Sequence, residues 1–468
     1  MTDQLWALGA SELAARIRRK DVSSREVVEA HLRRIDAVNP RINAITVNLG
    51  ESALDAADAA DRALAAGDPV GPLHGVPMTV KENLDVTGSA TSHGVTVFRD
   101  QLPRADSPHI AELRAAGAIP LGRTNLPDFG SRWHTDNELR GATLNPWAAD
   151  RTTGGSSGGD AAALAAGMTP LGMGNDIAGS LRWPSQCCGT TALKPSLGRI
   201  ARASQVEVPT PVSLAGQMLA VDGPMARHVR DLRLAFAHMC SPCPSDPWHV
   251  PLPLEGPPVA SPVRVSVVTD PAGLGVDPDI ADAVRRAADQ LDDAGYALEE
   301  RQLPSLERAA EIYFQILKPP PPEPGEPSMQ DLGSKDFARF MDAFMPAWDA
   351  GGGEASADPF AERQSIARAW GELQTECPLV LAPVATTPAF EVGFDLSPAG
   401  SEGWIRAIRM IVVVNLLGLP SVAFPTHEAN GLPHGVQIIG PRFREDLCLD
   451  AAEAVEQRLG TLAPIDPR

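Results

Sequence analysis

Within residues 152–182, TTGGSSGGDAAALAAGMTPLGMGNDIAGSLR, two glycine-flanked turns carry serines, and a segment of small residues joins them. Upstream, the stretch GVPMTVKENLDV holds a single lysine, Lys81. Hydrolysis of an amide needs a nucleophile, a base that takes its proton and returns it to the departing nitrogen, and donors for the oxyanion of the tetrahedral intermediate. These residues can supply all three. The run Asn175-Asp176-Ile177-Ala178-Gly179-Ser180 is small enough for consecutive backbone amides to converge on one carbonyl oxygen, so Ile177, Ala178, Gly179 and Ser180 are the expected oxyanion donors. A lysine works as base only when neutral, so Lys81 must give up its proton far below the ordinary value of about 10.4. Burial among Pro77, Met78 and Val80 is expected to help.

The elements that must position these groups alternate between helical and strand-like patterns. Residues 11–66 read as helices, with a capping box at Ser23-Ser-Arg-Glu26 and an alanine-rich run at 53–66, and define a helical N-terminal region, 1–66. Val76, Met78 and Val80 alternate with other residue types, so a short strand should end near Lys81. Residues 109–116 predict a helix, 118–122 a buried strand, and 125–150 an irregular stretch leading into the first serine turn. An alanine-rich helix at 160–167 starts against that turn, and a strand at 169–173 precedes the second.

After a proline-rich connector at 240–262, which marks a subdomain boundary, a strand is expected at 263–269 and a helix at 279–294. The segment 318–327, KPPPPEPGEP, can be neither helix nor central strand and reads as an extended surface loop. With the flexible 351–358 it brackets a variable insertion, 312–358, expected to cap the substrate pocket. Strands follow at 380–383, 421–425 and 435–439, then a closing helix at 445–459. This alternation predicts an α/β fold, a central twisted mixed β-sheet surrounded by helices. A single domain over 1–468 is expected.

Composition narrows the function classes. The net charge of −19, with no basic run to offset it, opposes binding to nucleic acid or to anionic membranes. The N-terminal 20 residues lack the charge order of a signal peptide, and the apolar run at 410–419 is too short to span a bilayer. Six cysteines are too few for a disulfide framework, so a soluble protein of the reducing cytoplasm is expected. Cys240 and Cys243 have the spacing of a redox or metal pair but no second pair, and His74, His93 and His134 have no spaced partners, so no metal is expected. The glycine patterns of nucleotide sites are absent, and no cofactor is expected.

Taken alone, GGSSGG would read as a flexible connector and Lys81 as a solvated strand-end lysine. Together with LysProSerLeuGlyArg at 194–199, AspGlyProMetAlaArg at 222–227, AsnLeuLeuGlyLeuProSer at 415–421 and GlyValGln at 435–437, they resemble the amidase signature family over most of the chain. The resemblance implies a serine–serine–lysine hydrolase of carbon–nitrogen bonds: Ser180 as nucleophile, Ser156 as the bridging serine behind a cis peptide bond, and Lys81 as base. The 24-residue separation of the two serines fits that pattern. Ser157, Asp176 and Arg182 are implied as supports of the nucleophile loop. Asn175 and Ala178 depart from the family's usual threonine or serine and glycine, which leaves the shape of the oxyanion hole open. Relatives are often homodimers, and a homodimer is a further expectation.

Three other readings compete. Gly155-Ser156-Ser157-Gly158-Gly159 also fits the nucleophile elbow of an α/β-hydrolase, which would make Ser157 the nucleophile of an esterase. The glutamine-hydrolysing component of a tRNA-dependent amidotransferase shares the signature but usually carries glutamine where this chain has Trp183. A carbamate hydrolase, or urethanase, could use the same three residues. The favoured expectation is an amidase acting on small, uncharged, apolar or aryl amides, with aryl esters hydrolysed as a side activity. Its pocket is expected to draw on residues 125–134, the Trp183 region, the segment before Gln217, and Phe314, Phe337, Phe340, Phe344 and Trp348.

Overall fold

The strand Leu379–Pro383 serves two cores at once: Leu379 and Leu381 pack into one hydrophobic cluster, Val380 and Ala382 into the other. That is the two-residue repeat of an extended chain whose two faces are both covered. The computed structural model describes residues 2–204, 213–318 and 325–468. Among these residues eleven strands form one mixed sheet. They are β1 (Ile45–Asn48), β2 (Pro77–Lys81), β3 (Ile119–Thr124), β4 (Leu171–Asp176), β5 (Thr191–Lys194), β6 (Val221–Ala226), β7 (Arg264–Val267), β8 (Ala297–Glu299), β9 (Leu379–Pro383), β10 (Ser421–Ala429) and β11 (Leu432–Ile439). The spatial order is β1-β3-β2-β4-β6-β5-β10-β11-β9-β7-β8, with β1 antiparallel to β3 at one edge, β3, β2 and β4 parallel beside it, β9, β7 and β8 parallel at the other end, and antiparallel pairs between the two parallel groups. Helices cover both faces, as the alternating sequence pattern requires.

Several expectations change in detail. The region 1–66 is not wholly helical, because β1 lies between the helices Ser24–Ile42 and Gly50–Ala66 and pairs with β3. The short strand expected to end near Lys81 is β2, and all five of its residues are buried. No helix or strand occurs at 240–262, yet β7 and β8 beyond it extend the same sheet, so this connector does not separate two sheets. β10 and β11 are the arms of one hairpin, turning at Asn430 (φ 51°) and Gly431 (φ 79°), the left-handed pair that asparagine–glycine turns adopt. Of the loop expected at 318–327, residues 319–324 lie outside the described residues. Among the described residues no helix is long and apolar enough to cross a membrane. All six cysteines are free thiols, Cys240 and Cys243 included.

Candidate active site

β2 and β4 run parallel and adjacent, and both end at the site: β2 in Lys81, β4 in Asn175 and Asp176. Alternation along β2 sends Met78 and Val80 into one core and Thr79 and Lys81 toward the opposite face. Met78 and Val80 therefore do not surround the lysine, as the sequence suggested. Lys81 is enclosed instead by the first serine turn and the end of β4, and no part of it reaches solvent.

Its Nζ has three neighbours: Ser156 Oγ at 2.7 Å, Ser157 Oγ at 3.0 Å and Asn175 Oδ1 at 2.7 Å. A neutral amine has two hydrogens and one lone pair. Asn175 Oδ1 can only accept, and its amide is oriented by the bond that Asn175 Nδ2 donates to Asn83 Oδ1 at 3.1 Å. Ser157 directs its own hydrogen, over a long 3.5 Å, to the Asn175 carbonyl, and so accepts from Lys81. In the neutral lysine this leaves the lone pair for Ser156 Oγ, whereas the protonated lysine donates to it. Burial, above all, lowers the proton affinity of Lys81 to about 7, against the opposing pull of Asp160, Asp176 and Asp222.

The first serine turn leads into the helix Gly158–Ala165, and its Gly155–Ser156 peptide is cis. The second lies between the end of β4 and the helix Arg182–Cys188. Ser157 N donates to Ser180 O at 3.2 Å, which ties the two turns together. Asp176 shapes the second turn: its carboxylate accepts from Gly179 N at 2.9 Å and Leu181 N at 3.2 Å, and meets Arg182 Nε and Nη2, each at 3.1 Å. Burial would raise the Asp176 carboxyl, but the Arg182 guanidinium beside it wins and holds it well below the usual carboxylate range. Arg182 in turn donates to Gln437 Oε1, the Ile411 carbonyl and Asn415 Oδ1.

Because the Gly179 amide is turned to Asp176, it does not belong to the expected set of oxyanion donors. Ile177, Ala178 and Ser180 keep amides that donate to no protein group among the described residues. Gly179 is needed for another reason: its φ is +89°, and a Cβ there would meet Ile411 Cγ2 at 2.5 Å. The carbonyls of this turn are pinned from outside, Ile177 O by the Tyr313 hydroxyl and Ala178 O by Trp133 Nε1, both at 2.8 Å.

Ser180, Ala178 and Ile177 open onto a cavity of about 300 Å³, walled by Phe129, Trp133, Phe340, Phe344, Trp348 and three methionines, Met329, Met341 and Met345. The helix Lys335–Gly351 supplies much of this wall. Ser334, its N-cap, is anchored to the 125–134 loop through Asp128, which accepts from Ser334 N at 2.7 Å and Oγ at 2.9 Å. Arg132 also lines the cavity, with its charge met by Asp395 through bonds of 2.6 and 2.9 Å. Phe314 and Phe337 are buried in the aromatic cluster behind the wall. Trp183 is fully buried against Phe390 and Trp404 and does not line this pocket. Gln217 itself lines a different cavity, and of the segment expected before it residues 205–212 lie outside the described residues. Of the histidines near the motifs, His74 bonds the Ala60 carbonyl and His134 the Thr152 hydroxyl. No group of three or more metal-binding side chains occurs among the described residues.

Sequence reasoning missed Asn83, two residues beyond Lys81, and Tyr313, which comes from a distant segment; Trp133 lay within the expected pocket segment 125–134, but its bond to the Ala178 carbonyl was not foreseen. Asp160 was also missed, although a carboxylate among small residues in GGDAAALAAG was a visible signal.

A family model described as Amidase matches residues 26–449. The chain belongs to the amidase signature family. It is accordingly a hydrolase of amide carbon–nitrogen bonds. This amidase is 41% identical to the indoleacetamide hydrolase of Bradyrhizobium diazoefficiens over 98% of its own length and 88% of that protein's. A second indoleacetamide hydrolase, from Bradyrhizobium japonicum, is 39% identical over 80% of this chain and 81% of its own. The fold superposes on a bacterial aryl acylamidase of the same family with a TM-score of 0.80, at 25% identity and 96% coverage of each chain.

Proposed function

We propose that this amidase cleaves small, uncharged aryl amides of the arylacetamide type, with Ser180 as nucleophile, Ser156 as proton relay and Lys81 as base. The observation that carries the reading is the cavity at Ser180: about 300 Å³, aromatic and thioether-walled, with the lining guanidinium of Arg132 already neutralised by Asp395. That volume is at the small end of ligand pockets. The kinship with an indoleacetamide hydrolase supports the same substrate class. A glutamine substrate would have to bury its charged amino and carboxylate groups against this wall without an unpaired partner. Ser157 is a poor candidate nucleophile, being fully buried and turned to Lys81 rather than to the cavity.

Ser180 Oγ attacks the amide carbonyl carbon while its proton passes to Ser156 Oγ, whose own proton moves to the Lys81 lone pair. The oxyanion lies against the Ile177, Ala178 and Ser180 amides. Return of the proton along the same path lets the amine leave, and the acyl group stays on Ser180 as an ester. Water, deprotonated through Ser156 and Lys81, then attacks that ester and releases the carboxylic acid. A carbamate would follow the same route through a carbamoylated or carbonate-bound Ser180.

Because neutral Lys81 is the working base, kcat/KM rises with pH and levels off above about 7, which a pH–rate profile on a neutral amide measures. Phe344 stacks on Phe340 at 4.8 Å and meets Trp133 at 5.1 Å between ring centroids. In Phe344→Ala, kcat/KM for an arylacetamide falls by about 10- to 100-fold, the worth of one buried aromatic contact, whereas hydrolysis of acetamide changes little. A panel of arylacetamides, anilides, aryl carbamates and glutamine tests the substrate class. Preferential turnover of glutamine, or equal loss on every substrate in the Phe344 variant, would overturn it.

A further inference from the structure

Asp160 lies beneath the site in the first turn of the helix Gly158–Ala165, fully buried. Its Oδ2 accepts from Thr124 Oγ1 at 2.7 Å and its Oδ1 from Thr79 Oγ1 at 3.1 Å. Both threonines locate it relative to Lys81. Thr79 precedes the lysine by two on β2 and shares its face, and Thr124 is the register partner of Lys81 on β3. Gly172, opposite Thr79 on β4, leaves room for the carboxylate: a Cβ there would stand 2.9 Å from Asp160 Oδ1.

Other charges act on Lys81, but most are compensated. Asp176 is paired with Arg182, and Asp222 with Arg202 at 3.0 Å. Arg202 opposes protonation of the lysine. Arg123, buried near Asp160, makes its hydrogen bonds to the Ser89 hydroxyl and the carbonyls of Val80, Lys81, Leu84 and Ala90 rather than to the carboxylate, so its charge acts on Asp160 only through space. Asp160 has no ion-pair contact among the described residues and is held only by neutral hydroxyls. We propose that the Asp160 carboxylate, which has no ion-pair contact of its own, is the counter-charge of the catalytic lysine, a positioning residue that sets how firmly Lys81 holds its proton without touching the substrate. Burial raises the Asp160 carboxyl to about 7, against the Thr124 and Thr79 bonds and the charges of Lys81 and Arg123, so Asp160 and Lys81 titrate in the same range and each feels the other's charge across the sheet face.

This inference rests on Lys81 being the base. Removing the negative charge must weaken the hold of Lys81 on its proton, so neutral lysine persists to lower pH and is a weaker base. In Asp160→Asn the acid limb of the kcat/KM profile moves to lower pH by about one unit, and the plateau falls several-fold. Asp160→Ser, smaller and neutral, moves the limb likewise, whereas Asp160→Glu keeps it near the wild-type position. Thr124→Val, which removes a bond that favours the ionised carboxylate, shifts it in the same direction by less. A folded Asp160→Asn or Asp160→Ser enzyme whose acid limb coincides with the wild type would overturn the proposal. Lys81→Met assayed alongside keeps the two ideas apart: activity in that variant would sink the lysine base itself, while an inactive Lys81→Met with an unmoved Asp160→Asn profile would sink only the role of Asp160.

Discussion

Lys81→Met keeps the fold and loses amide turnover by about 10³- to 10⁴-fold in kcat, the contribution expected of a positioned general base that also returns the proton to the leaving group. The methionine fills the volume of the lysine stem but offers no lone pair to Ser156. Binding should change little, because Lys81 does not line the cavity at Ser180. The loss therefore falls on kcat rather than KM. Activated aryl esters, whose leaving groups need no proton, should lose less than amides. Steady-state kinetics on a matched amide and ester pair measures both effects. An equal loss on the two substrates, or retention of more than a tenth of amide turnover, would contradict the assigned part of Lys81.

Arg182→Met lowers stability by about 3–5 kcal/mol, the usual cost of leaving one member of a buried ion pair alone. Arg182 and Asp176 are both inaccessible to solvent, and the guanidinium also holds Gln437 on β11 and Asn415 on the helix Arg409–Leu416. Without it, Asp176 keeps Asn415 Nδ2 and two loop amides, which cannot neutralise its charge. The double variant Arg182→Met/Asp176→Asn should recover much of that stability, since no charge is then stranded. Activity should not return with it, because the Ser180 turn has lost the carboxylate that shapes it. Denaturation midpoints and turnover of the two single variants and the double variant separate these effects. Additive losses of stability would show that the two side chains are not coupled.

Lys81, Ser156 and Ser180 were legible because each sits in a short local pattern: a strand ending in lysine, and two small-residue turns. Asp176 and Arg182, beside the nucleophile turn, were legible as its supports, but the groups that brace the turn from distant parts of the chain were not. Trp133 and Tyr313 grip the loop carbonyls from 45 and 136 residues away. Local patterning likewise found the closing helix, observed at Glu445–Leu459, but missed β1, four residues pressed between two strong helix formers. It also cut the β10–β11 hairpin into two short pieces, because the asparagine–glycine pair at its tip was not read as a turn. Trp183 carried chemistry in the sequence argument and structure in the molecule: a large apolar side chain beside the nucleophile turn is as well used packing the aromatic core as facing a substrate. The engagement of the Gly179 amide depends on the rotamer of Asp176, which no spacing rule encodes.

Mass spectrometry of the enzyme quenched during turnover of a slow aryl amide tests the account most directly. The expected result is the mass of one acyl group carried on the peptide that contains Ser180, absent in Ser180→Ala and cleared on longer incubation as the ester hydrolyses. An adduct on Ser157, or full turnover by Ser180→Ala, would contradict the assignment of the nucleophile and with it the proton path through Ser156 and Lys81.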